Sequence, residues 1–175
     1  GVCLTVGDSG AEWRKVGRRV GAVRFMANPS KTLYVGSFRH VLDAKNRLTI
    51  PARWRFAGDE AADSYLALPQ DGHLLVLPPL EIERLYDKLA SKALGDTAAQ
   101  ASIQKLFSQA FSFGCDKQGR VGLPEGMLRS VGIEKEALCV GSLTKFTIWN
   151  PARWEQQNPA VAGENVEALM RRMDI

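Results

Sequence analysis

The sequence predicts a mainly β protein with some α (α+β), built from two copies of one small β-rich unit with a helical insert between them. Three observations predict it. A nine-residue phrase, Asp43-Ala44-Lys45-Asn46-Arg47-Leu48-Thr49-Ile50-Pro51, returns as Asp116-Lys117-Gln118-Gly119-Arg120-Val121-Gly122-Leu123-Pro124, with Asp, Arg and Pro at the same three places. Around each copy, short apolar runs alternate with a period of two and are punctuated by Gly, Asp and Pro. Between the copies, apolar residues recur at helical spacing.

Residues 1–25 are rich in Gly and Arg and lack a continuous apolar run, so they do not read as a signal peptide. A leader over 1–32, disordered or non-native with Met26 as a plausible true start, is the expectation here; a basic arm for DNA phosphates is the alternative. Leu33–Leu42 reads as extended chain, with Phe38, His40 and Leu42 on one side. Asn46 and Gly119 face each other in the two phrases, and both tolerate positive φ, so each copy can turn at the same point. Leu48 and Ile50 continue as a strand. Pro51 then opens a short helix, Ala52–Ala57, stopped by Gly58. Tyr65–Leu68 and Leu74–Leu77 are strands joined by a turn at Asp71-Gly72.

Pro78-Pro79 starts the helical stretch, with Leu80, Ile82, Leu85 and Leu89, then Ile103, Leu106 and Phe107. Gly95-Asp96 is expected to break it into two antiparallel helices. The second copy repeats the plan. Ala110–Cys115 and Val121–Leu123 are strands, Pro124 opens a short helix ending near Gly132, and Leu138–Val140 and Phe146–Trp149 close the unit. Glu164–Met173 has the pattern of a short amphipathic helix. The expected organisation is therefore a leader (1–32), a first unit (37–79), a helical connection (80–109), a second unit (110–152) and a C-terminal helix or tail (160–175). A constant shift of 73 residues relates the units, and three of their five identities fall within the repeated phrase.

The net charge of +4 is concentrated locally, and residues 1–25 alone carry +3. Arg39, Lys45, Arg47, Arg53 and Arg55 stand against Asp43 alone, whereas Lys117, Arg120 and Arg129 stand against Asp116 and Glu125. The first copy is the more basic face. Cys3, Cys115 and Cys139 lack C-x-x-C spacing, and with only His40 and His73 no metal site assembles, so reduced thiols are expected. No G-x-S-x-G, H-E-x-x-H or P-loop is present, which argues against an enzyme and implies no cofactor. No run of eighteen apolar residues offers a membrane span.

Asp and Arg four apart suit a helical ion pair, but the turn residue between them and the Pro after them favour a loop. Asp43, Asn46, Asp116 and Gly119 are read as loop-structuring. Arg47 admits two roles: a structural partner of its own Asp, or a guanidinium offered to phosphate or to a guanine edge.

The phrases Tyr34-Val35-Gly36-Ser37-Phe38 and Leu42–Arg53, with Cys115–Val121 and Val140–Trp149, closely resemble the bacterial MraZ family from residue 33 to about 155. Residues 1–32 and 160–175 lie outside the resemblance. The family usually has Gly where Asn46 stands, and an acidic residue is common at Thr147. The resemblance implies a tandem pseudo-two-fold AbrB/SpoVT swapped-hairpin β-barrel. It implies a cytoplasmic, nucleoid-associated repressor of the division and cell-wall gene cluster that includes its own gene. Such a protein binds double-stranded DNA at G-rich direct repeats, as a ring-shaped homo-oligomer. Arg47 takes the DNA-facing place of the motif, with Lys45, Arg53, Arg55 and Arg39 as further contacts, and Arg120 and Lys117 the corresponding positions in the second copy. The lower charge of that copy suggests that the first unit dominates DNA contact while the second builds the ring. The alternatives are an antitoxin-like relative of the same fold and a structural ring without DNA.

Overall fold

The computed structural model describes residues 32–90 and 97–158, together with Glu167, Met170, Arg171, Met173 and Asp174. In chain order the elements are β1 (Ser37–Val41), β2 (Arg47–Thr49), β3 (Tyr65–Gln70), β4 (His73–Leu77), α1 (Pro79–Ala90), α2 (Thr97–Phe107), β5 (Phe111–Phe113), β6 (Arg120–Gly122), α3 (Glu125–Ser130), β7 (Glu136–Ser142), β8 (Lys145–Trp149) and α4 (Pro151–Gln157). The α+β class predicted from the sequence is the class observed.

Six strands form one antiparallel sheet in the order β1-β7-β8-β4-β3-β5, and β2 pairs with β6 in a separate two-stranded ribbon. Each half of the chain completes the other. Among the described residues the sole sheet neighbour of β1 is β7, with Phe38 opposite Cys139, and the sole sheet neighbour of β5 is β3, with Tyr65 opposite Phe113. The centre is β4 against β8, with Leu74 opposite Ile148. The 73-residue shift carries β2 onto β6 and turns the strand order into its own reverse.

Alternation explains which faces close. On β1, Phe38 and His40 are half-buried while Ser37, Arg39 and Val41 are exposed. Tyr34, Trp54 and Tyr65 from the first half meet Phe113 and Phe146 from the second in one core. Trp54 and Phe146 have ring centroids 5.2 Å apart, Tyr34 and Phe146 5.4 Å. Offset and edge-on aromatic pairs at such distances stabilise beyond simple burial.

Several boundaries differ from those expected. The helix over Ala52–Ala57 is a single 3₁₀ turn, Ala52–Trp54, after which Arg55 is extended (φ −82°, ψ 151°). The chain drives Trp54 into the core and leaves the helix at once. The strand over Ala110–Cys115 shrinks to Phe111–Phe113, because a Cβ on Gly114 would lie 2.1 Å from the carbonyl oxygen of Ala61, and the Cys115 amide donates to the Asp59 carbonyl (2.7 Å). β3 and β7 run longer than expected, β3 up to the turn at Asp71-Gly72. The helix α4 was not foreseen; Asn150 caps it by accepting from the Arg153 amide (3.2 Å), with Pro151 in its first turn. The expected break at Gly95-Asp96 lies outside the described residues, as do residues 1–31 and most of Glu164–Met173. Neither α1 nor α2 buries a residue.

Candidate nucleic-acid interface

The ribbon builds the site. In an antiparallel pair, alternate side chains share a face, so the register Leu48 opposite Val121 puts both of these on one face. Both are fully buried. Arg47 (opposite Gly122) and Arg120 (opposite Thr49) must then share the other face. Burying Leu48 and Val121 thus turns two arginines outward, about a third of each side chain exposed (30% and 33%).

Ahead of each arginine is the same loop. The Asp43 Oδ1 accepts the amides of Lys45 (2.9 Å) and Arg47 (3.0 Å), while Oδ2 accepts Arg47 Nε (2.7 Å). The Asp116 Oδ1 accepts the amides of Gln118 and Arg120 (both 2.9 Å), and its Oδ2 accepts Arg120 Nε (2.8 Å). Asn46 and Gly119 take positive φ (55° and 78°), which closes the turns. Two bonds tie loop to loop: the Ile50 amide donates to Gly119 (2.8 Å) and the Leu123 amide to Asn46 (3.4 Å). Arg47 Nη1 also comes within 3.9 Å of Asp116.

These bonds set the electrostatics. The side-chain bond from Arg47, helped by the loop amides, holds the Asp43 carboxyl down at about 2. The Arg120 amide and guanidinium hold Asp116 below the usual carboxylate range. Each guanidinium is already shared with a carboxylate.

The other residues singled out from the sequence are placed differently. Lys45, Arg53 and Lys117 are exposed, and among the described residues no carboxylate pairs with them. The Arg53 guanidinium lies 5.6 Å from the Phe38 ring centre. Arg39 bonds Glu155 (2.8 Å) and approaches Glu136 (3.7 Å). Arg55 bonds the buried Asp59 (3.0 Å). The excess charge of the first copy therefore rests on Lys45 and Arg53. Asp59 was not read from the sequence: in the run Gly58-Asp59-Glu60-Ala61-Ala62-Asp63 it looks like any solvated loop acid.

The family description "MraZ protein, putative antitoxin-like" matches residues 106–174. The "Transcriptional regulator MraZ" of Clostridium acetobutylicum is 34% identical over 137 residues, 78% of this chain and 94% of its own. The chain belongs to the MraZ family. The proteins named "Transcriptional regulator MraZ" from Thermomicrobium roseum and Heliobacterium modesticaldum are each 32% identical, over 79% and 81% of this chain and 96% and 98% of theirs. The match to the MraZ description reaches residue 174, so the stretch 160–175, expected to lie outside the resemblance, belongs almost wholly within it. Among the described residues no helix is long and apolar enough to cross a membrane.

Proposed function

We propose that this chain is a sequence-specific DNA-binding repressor of the division and cell-wall gene cluster that includes its own gene. It grips closely spaced G-rich direct repeats as a ring-shaped homo-oligomer built from chains that each carry two AbrB/SpoVT-like units. One observation carries the reading: the ribbon turns Arg47 and Arg120 outward on one face, with Lys45, Arg53 and Lys117 exposed around the loops. The relatives' description as transcriptional regulators supports it. A two-stranded ribbon is narrow enough for the major groove, where an arginine fork matches guanine O6 and N7. Each guanidinium keeps N–H groups beyond those given to its Asp, and that Asp fixes the fork before DNA arrives. Lys45, Arg53 and Lys117 supply the phosphate contacts. The first loop takes the larger share, having Arg53 as well as Lys45. One ribbon offers few contacts, so several copies in a ring raise the effective concentration along the repeats.

Footprinting and salt-dependent gel shift on the DNA preceding its own gene test the reading. Arg47→Lys keeps the charge but loses the fork, and is expected to lower discrimination against a scrambled duplex about tenfold with little change in salt dependence. Equal binding of the two duplexes by the wild-type chain defeats the proposal. A loss in Arg120→Ala as large as that in Arg47→Ala defeats the unequal sharing.

A further inference from the structure

Asp59 is the buried charge that the DNA reading leaves unused; it is 2% exposed and bonds Arg55 Nε at 3.0 Å. Arg55 in turn packs closely against Gly119 of the second loop. A Cβ added to Gly119 would stand 2.7 Å from Arg55 Nη1 and 3.0 Å from its Cδ and Cζ. Gly119 is buried where Asn46, its counterpart, is only half-buried. The same segment grips the chain entering that loop, through the Cys115 amide on the Asp59 carbonyl and the close approach of Ala61 to Gly114.

The chain entering the first loop is also held by a backbone bond, the Leu42 amide on the Lys135 carbonyl (2.8 Å), but among the described residues no buried ion pair braces that loop. The residues 73 places beyond Arg55 and Asp59 are Leu128 and Gly132, neither of them charged. The first-copy counterpart of Gly114 is Val41, which is exposed. An arginine leaving for a DNA phosphate would strand the Asp59 carboxylate in the interior, where an unpaired charge is costly.

We propose that Arg55, held by the buried Asp59 carboxylate, is a positioning residue that latches the second loop in shape, and is not a phosphate contact. The latch makes the two loops unequal: both are tied by backbone bonds to the other half, but a buried ion pair braces only the second among the described residues.

Amide hydrogen exchange on the full chain provides an internal comparison. Gly119 and Arg120 donate to Asp116 as Asn46 and Arg47 donate to Asp43. In Asp59→Asn, the Gly119 and Arg120 amides are expected to exchange about tenfold faster while Asn46 and Arg47 keep their wild-type rates. Uniform acceleration of all four, or none, overturns the proposal. Should that variant not fold, Arg55→Lys, which loses the Nε bond and the planar fork, is read by the same criterion. A second arm uses a fluorescent duplex of the promoter DNA. Arg55→Ala is expected to leave the slope of log K against log salt unchanged; a slope shallower by about one would reveal a lost phosphate contact and overturn the latch. This arm rests on the repressor reading. If the wild-type chain does not bind that duplex, that reading fails, and the exchange comparison alone decides the latch.

Discussion

Asp43 and Asp116 divide their oxygens in the same way, one for the turn amides and one for the arginine. Both bonds require the carboxylate form, so both carboxyls titrate below their ordinary 3.8. In the acid window the unfolded chain therefore binds more protons than the folded one, and stability falls as pH falls. The contribution is complete above about pH 3.8 and is lost on approach to about pH 2, where Asp43 protonates. Thermal melts across this window are expected to fall more steeply for the wild-type chain than for Asp43→Asn, and parallel curves would contradict this origin. The left-handed turns follow from residue type alone, since Asn46 and Gly119 tolerate positive φ. The partners of Arg39 and Arg55 could not be read in that way. Glu155 and Asp59 acquire meaning only once the chain has folded and brought them beside the arginines.

For an element, local patterning sets what a strand is, and its partner sets where it stops. The alternation in Leu48–Ile50 and Val121–Leu123 marked two short strands, yet their mutual pairing is invisible in either segment. That pairing carries the outward face of the arginines. Leu48→Ala, which opens a cavity against Val121, is expected to cost about 2–5 kcal/mol in chemical denaturation. A cost under about 1 kcal/mol would mean that the ribbon is not sealed by this contact. α4 had a readable start in Asn150-Pro151, a capping residue followed by a proline suited to a first turn. The end of the 3₁₀ turn at Trp54 had none, because propensity would have continued the helix and burial of the indole stopped it.

Across the whole molecule, the repeated phrase and the hydrophobic spacing revealed an α+β chain of two similar halves, but alternation says that a strand exists and not which strand receives it. β1 depends on β7, β5 depends on β3, and one aromatic core draws on both halves. The described fold from Thr32 to Asn158 is expected to unfold in a single transition. Tryptophan fluorescence and far-ultraviolet circular dichroism should share one denaturation midpoint; two separated midpoints would show halves that stand independently.

The crossed pairing also limits how this gene could be shortened. A chain carrying only one copy of the phrase would leave β1 or β5 without the strand it pairs with in the described sheet, and the ribbon with a single strand. It could recover them only by borrowing from another molecule, so its folding would become a question of concentration. In the intact chain, the helical linker between the halves keeps that missing partner permanently at hand.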